Sequence, residues 1–144
     1  MAIKLDISKA YDRVEWSFLR QIMLKLGFDG RWVQLAMATV HTATYSVLIN
    51  REPKGYISPS QGLKQGDPFS PYLFLLCAEG LSFLIRKDVE TNHLHGILSC
   101  KSGVRISHLF ANDSFIFCQA TMEEGQHLLN ILGRYEATSG QAIN

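Results

Sequence analysis

At the start of the chain Ile3, Leu5 and Ile7 alternate with Lys4 and Asp6, the period that a half-buried β-strand imposes on its two faces. The period then lengthens. Val14, Phe18, Leu19, Ile22, Met23 and Leu26 recur at helical spacing, with Asp12 the expected cap before them and Gly27 the expected stop after them. A second helix is expected over residues 30–40. Residues 44–49 are β-branched and aromatic, and a turn with a proline at 50–54 leads into the short segment 55–58, which predicts a hairpin.

Ser70-Pro71 suits an N-cap followed by the first helical position, and Phe74, Cys77, Leu81, Leu84 and Ile85 continue one apolar face. Residues 104–109 and 115–118 are strand-like runs around the tight connection Phe110-Ala111-Asn112-Asp113, so a second hairpin with a polar tip is predicted. Thr121 with Glu124 three positions on is a capping-box pattern, and Leu128, Ile131, Leu132 and Tyr135 form the stripe of a last helix ending near Ser139-Gly140. Strand, helices, two strands, helix, two strands, helix is the order of an α+β plait. It approximates a split βαβ, ferredoxin-like antiparallel sheet with helices on one face.

A chain of 144 residues, 47% hydrophobic and 19% charged, can bury the core of one globular domain. Its formal net charge of +1 is far from the strongly basic balance of many free-standing nucleic-acid binders, so any polynucleotide contact has to come from local groups. Cys77, Cys100 and Cys118 are odd in number and widely spaced, which argues against a disulfide framework or a zinc ribbon and for a reducing interior. The charged N-terminus and the short apolar run 72–78 give no export or anchoring signal.

Asp6 falls at a strand and Asp113 at a hairpin tip, where two carboxylates can converge on a sheet edge. Such pairs hold divalent metals for in-line phosphoryl transfer, although strand-end aspartates are more often simply solvated. The run Gln61-Gly62-Leu63-Lys64-Gln65-Gly66-Asp67-Pro68-Phe69-Ser70-Pro71 puts two glycines and a glutamine before a helix start, and glycine permits close backbone approach. His93-Leu94-His95 has half the look of a metal site but no adjacent carboxylate or thiol, so it reads as a loop and no metal is assigned to it. His41, His108 and His127 read as core-edge or surface residues, and Arg13, Arg20 and Lys25 as a solvated helix face.

Three blocks in order resemble the reverse transcriptases of plant non-LTR (LINE-type) retrotransposons. Ile3-Lys4-Leu5-Asp6-Ile7-Ser8-Lys9-Ala10-Tyr11-Asp12 looks like the first palm motif, an aspartate followed five residues later by an aromatic. Residues 62–74 look like the second, and residues 108–117 like the third, a hairpin with a paired-aspartate tip. Residues 132–144 resemble the segment that follows it.

The resemblance implies a polymerase palm over residues 1–144, with fingers and thumb outside them. It implies Asp6 and Asp113 as ligands of two Mg2+ ions, and Lys9, Ala10, Tyr11, Gln65 and Gly66 as nucleotide-binding residues. The implied partners are an RNA template, a DNA primer and deoxynucleoside triphosphates, with no membrane and an intracellular, nuclear site of action. Asn112 stands where the family has the first tip aspartate, and a neutral amide in place of a hard anionic ligand implies an impaired copy. Asn50-Arg51, where the family often has Asn-Gly, weakens a hairpin turn in the same direction. The rival reading is a non-catalytic nucleic-acid or protein interaction module derived from such an element. A two-metal phosphohydrolase would need further acidic ligands near the tip, and none stands there.

Overall fold

The computed structural model describes residues 1–98, 105–110 and 114–144. In chain order the elements are β1 (Ala2–Leu5), β2 (Ile7–Ser8), α1 (Trp16–Lys25), α2 (Gly30–His41), β3 (Tyr45–Ile49), β4 (Glu52–Ile57) and α3 (Ser70–Glu90). There follow β5 (Ile97–Leu98), β6 (Arg105–Ile106), β7 (His108–Phe110), β8 (Ser114–Phe117), α4 (Met122–Ser139) and β9 (Ala142–Ile143).

The central sheet has the order β1-β8-β7 and is antiparallel throughout. Ile3 pairs with Ile116 and Leu5 with Ser114, so these residues share one face, and Leu5, Ile116 and Ser114 are buried. That face meets Leu81 and Ile85 of α3 and Leu128, Ile131 and Tyr135 of α4 in a single cluster. Lys4 and Phe115, paired on the opposite face, are exposed. An α+β sheet covered on one face by helices is the arrangement expected from the sequence. A second cluster joins Leu19 and Met23 of α1, Val33, Met37 and Val40 of α2, and Leu73 and Cys77 of α3, so α3 belongs to both cores.

Several boundaries follow local rules. After Lys25, Gly27 takes φ +88° and its N–H donates to the Leu24 carbonyl while that of Phe28 donates to Met23, the paired bonds of a Schellman stop. Gly140 ends α4 in the left-handed region. The β3–β4 turn is two residues long, with Ile49 opposite Glu52 and φ positive at both Asn50 and Arg51, as a type I′ hairpin turn requires. The second strand therefore starts at Glu52 rather than at 55, and takes in Pro53.

Two expected caps are corrected. Asp12 does not cap α1: Glu15 is the N-cap, without a side-chain bond, because residues 9–12 form a separate turn in which the N–H groups of Asp12 and Arg13 both reach the Lys9 carbonyl. Ser70 is the first residue of α3 rather than its cap. The capping oxygen comes from Asp67, whose Oδ1 accepts from the N–H of Phe69 at 2.8 Å and of Ser70 at 3.3 Å. Thr121 does cap α4, accepting from Glu124 N–H at 3.2 Å.

Candidate active site

Position Asp6 sits between two strand pairings. Leu5 before it pairs with Ser114 of β8, and Ile7 after it pairs with Ile143 of β9. Its own backbone is tied to the last residue, with the Asp6 carbonyl accepting from Asn144 N–H at 2.8 Å and the Asp6 N–H donating to the Asn144 carbonyl at 3.4 Å. Asn144 Nδ2 further donates to Ser8 Oγ at 2.6 Å. The backbone of Asp6 is thus held on both sides of the chain while the residue stays exposed. The expected tip residues Asn112 and Asp113 lie outside the described residues.

Beyond β2 the chain enters a turn on Lys9, at φ +50°, a conformation that costs an L-residue about 1–2 kcal/mol. The turn is anchored from below. The buried side chain of Gln141 donates from Nε2 to the Ala10 carbonyl at 2.8 Å, and its Oε1 is hydrogen-bonded to the Tyr135 hydroxyl. That hydroxyl also lies 3.2 Å from the Cys77 carbonyl, and burial, with a smaller contribution from Cys77, pushes its pKa up, so it stays a neutral donor. Tyr11 then lays its ring on Phe74 of α3, with centroids 4.9 Å apart and planes 13° from parallel.

The glycine-containing loop docks against this turn largely through backbone. Leu63 N–H donates to the Tyr11 carbonyl and Gly62 N–H to the Val14 carbonyl, both at 2.8 Å. Trp16 Nε1 donates to the Gly62 carbonyl at 2.7 Å, and Gln65 Nε2 to Asp12 Oδ1 at 3.2 Å. The approach is so close that a β-carbon on Gly62 would lie 2.7 Å from the Asp12 carbonyl oxygen. Gly66, also at positive φ, faces open space.

Of the residues singled out from the sequence, the fold brings Ala10 and Tyr11 together with the loop carrying Gln65 and Gly66. Asp6 and Lys9 lie on the same stretch of chain as Tyr11. None of them lines the cavity of about 860 Å³ that forms an apolar trough between Ile3, Leu5, Leu128, Leu129, Leu132 and Ile143 with neighbouring residues. Asp6, Lys9, Gln65 and Gly66 are exposed, while Ala10 and Tyr11 are half-buried. Gln141, Asn144, Trp16 and Asp67 were not singled out in advance; each acts on a partner remote in sequence or at a turn, where no periodicity marks it.

The histidines also gain partners. His95 Nδ1 donates to Glu124 Oε1 at 2.8 Å, and the backbone N–H groups of His95 and Gln119 reach Glu124 Oε2 at 3.2 and 2.8 Å. Burial alone would raise the Glu124 pKa, but these bonds outweigh it and hold the carboxyl below its usual value. His108 Nδ1 lies 3.0 Å from Ser82 Oγ; burial favours the neutral ring and lowers its pKa, against the opposing pull of Glu79. His41 packs edge-on against Trp16, and His127 stacks on His93. The reading of His93-Leu94-His95 as lacking a carboxylate is therefore corrected in space: His95 is bonded to Glu124, and Asp88 lies near His93 and His127.

The antiparallel sheet covered by helices, with Asp6 just past β1, Tyr11 stacked on Phe74 and the glycine loop docked on the Tyr11 turn, fits a polymerase palm fragment. The family model described as reverse transcriptase (RNA-dependent DNA polymerase) matches residues 1–144, and the chain belongs to that family. It is 52% identical over 68 residues to an uncharacterized mitochondrial protein of Arabidopsis thaliana, a match covering 46% of this chain and 56% of that protein. It is also 32% identical over 79 residues to a retrovirus-related Pol polyprotein from the type-1 retrotransposable element R2 of Popillia japonica, covering 55% of this chain and 13% of that protein. The matches thus span just over half of one relative and about an eighth of the other.

Proposed function

We propose that this chain is the palm of a plant LINE-type reverse transcriptase, built for magnesium-dependent addition of deoxynucleotides to a primer on an RNA template, and that Asn112 has silenced it. The observation that carries this reading is the docking of the glycine loop on the Tyr11 turn, four hydrogen bonds that hold the loop of Gln65 against the segment of Tyr11 and Asp12 in a chain of this family. Magnesium takes hard oxygen ligands, and the exposed carboxylate of Asp6 is such a donor. Leu5 is paired with Ser114, so Asp6 follows β1 at the end of the sheet where β8 begins. Asp6 and Asp113 would hold the ions, which when bound supply the charge stabilisation for an in-line displacement.

The remaining residues bind and orient. Tyr11, stacked on Phe74, presents a ring that yields little, and such a ring excludes the 2′-hydroxyl that separates ribonucleotides from deoxynucleotides. Lys9 offers charge and backbone to the triphosphate, and Ala10 a short side chain beside it. Gln65 and Gly66 meet the base or template strand, Gly66 with open space around its α-carbon.

Asn112 removes one negative charge from a site that must face two dications. A loss of roughly 4 kcal/mol of transition-state stabilisation corresponds to about a thousandfold in rate. The test is templated primer extension with Mg2+ and deoxynucleotides, in which the chain is expected to give no product above background. Extension that Asp6→Ala abolishes would overturn the inactive reading. Salt-sensitive nucleic-acid binding without extension in either the parent or Asn112→Asp favours the interaction module.

A further inference from the structure

Away from the palm motifs, α3 and α4 bring together three side chains with metal-binding atoms. Asp88 lies in the last turn of α3, His93 in the loop just after it, and His127 on α4. One ligand atom from each lies within 4.8 Å of the other two, the sole such trio of His, Cys, Asp and Glu among the described residues. They line an open cavity of about 460 Å³ together with Asn130, Ile131 and Arg134. We propose that Asp88, His93 and His127 form a binding site for a borderline transition-metal dication of the zinc type, clamping the end of α3 to α4.

Three features carry this. First, the donor set is two imidazoles and a carboxylate, which suits Zn2+ and Co2+ rather than Mg2+. Three protein ligands leave a fourth position to water, as in an exchangeable site rather than a closed structural one. Second, His127 Nδ1 and Asp88 Oδ2 are 3.7 Å apart. That is too long for a hydrogen bond and close to the roughly 3.3–3.5 Å that two ligands of a tetrahedral ion keep between them at bonds of about 2.0–2.2 Å.

Third, His93 has an orienting partner. Thr91 Oγ1 lies 2.9 Å from His93 Nδ1 and 3.0 and 3.3 Å from the Lys87 and Asp88 carbonyls. With the hydroxyl proton on one of those carbonyls, the Thr91 oxygen accepts from Nδ1–H. Nδ1 then carries the proton and Nε2 keeps its lone pair for a metal, the orienting contact that metal-bound histidines commonly have. The rings of His93 and His127 are stacked 4.5 Å apart and 10° from parallel, so an ion in the plane of both requires one ring to tilt; His93 is exposed and is the one that can. Arg134 at the cavity wall opposes a cation and keeps the site from being tighter.

The test is titration of the metal-free, reduced chain with Co2+ and Zn2+, followed by Co2+ visible absorbance and by the shift of thermal unfolding with Zn2+. Expected are one equivalent of Co2+ with the intense visible bands of a four-coordinate site and no thiolate charge-transfer band, and a raised Tm with Zn2+, since a ligand that binds only the folded state stabilises it. His93→Ala and His127→Ala should each weaken binding at least tenfold, Arg134→Gln should tighten it severalfold, and Asp6→Ala should leave it unchanged. If His127→Ala loses its helical circular dichroism, the exposed His93→Ala variant decides. Affinity unchanged in His93→Ala, absence of any Co2+ spectrum, or binding lost only with Asp6→Ala would overturn the proposal.

Discussion

Replacing Gly62 by alanine perturbs the contact between the glycine loop and the Tyr11 turn at its closest point. Gly62 has φ +90°, and the new β-carbon would stand 2.7 Å from the Asp12 carbonyl oxygen and 3.1 and 3.2 Å from the carbonyl and α-carbons of the same residue. A left-handed backbone costs an alanine about 1–2 kcal/mol. The clash is with main chain, so it is relieved only by moving the loop away. That movement stretches Gly62 N–H to Val14 and Leu63 N–H to Tyr11 together with Trp16 Nε1 to Gly62. Loss of one or two such bonds, at about 1 kcal/mol each, brings the total to about 2–4 kcal/mol. Against a usual stability of about 5–15 kcal/mol the variant still folds.

Gly66→Ala is the matched control, because Gly66 has φ +82° but nothing within 4 Å of an added β-carbon; it should lose only the dihedral part, about 1–2 kcal/mol. Urea denaturation followed by tryptophan fluorescence measures both. Trp16 is one of two tryptophans and reports the bond to Gly62 directly. With a slope of about 2 kcal/mol/M, the Gly62→Ala midpoint should fall by roughly 1–2 M, and by clearly more than that of Gly66→Ala. Equal midpoints for the two variants would refute the docking geometry.

The buried carboxylate of Glu124 accepts from Gln119 N–H and twice from His95, and its pKa is lowered. Its contribution is therefore present above the unfolded value and lost as pH falls through the folded one. Chemical denaturation should show the parent losing stability below about pH 4.5, while Glu124→Gln should be about 2–4 kcal/mol weaker at neutral pH and flatter in acid; a variant with the parent's acid slope would assign that slope elsewhere. Arg51 holds φ +68° in the β3–β4 turn, so Arg51→Gly should raise stability by up to about 1 kcal/mol, read as an upward shift of the thermal midpoint, and a lower midpoint would contradict the turn type.

Much of this fold is legible from local chemistry. The helical spacing of Leu19 and Met23, the Gly27 stop, the Thr121 cap and the left-handed Gly140 each depend on a few neighbouring residues, and each forms where the pattern places it. What local reasoning assigned wrongly were residues whose partners are distant. Asp12 has the chemistry of a cap but meets Gln65, 53 residues on, and Glu124 fits a capping box but sends its carboxylate to Gln119 and His95 rather than back to Thr121. Gln141, which holds the Ala10 carbonyl from 131 residues away, carries no signal in periodicity or composition. The palm motifs were readable because family resemblance preserves such long-range pairings as an ordered set of short blocks.

The direct test of the proposed metal ligands is calorimetric titration of the parent, Asn112→Asp and Asp6→Ala/Asn112→Asp with Mn2+ or Mg2+, in the presence of enough Zn2+ to occupy any histidine site. In the proposed site, aspartate at position 112 would supply a hard anionic ligand in place of a neutral amide. Binding should tighten by tenfold or more in Asn112→Asp and fall back to the parent level or below in the double variant. Equal affinity in all three proteins would contradict the placement of Asn112 at a ligand position and of Asp6 beside it.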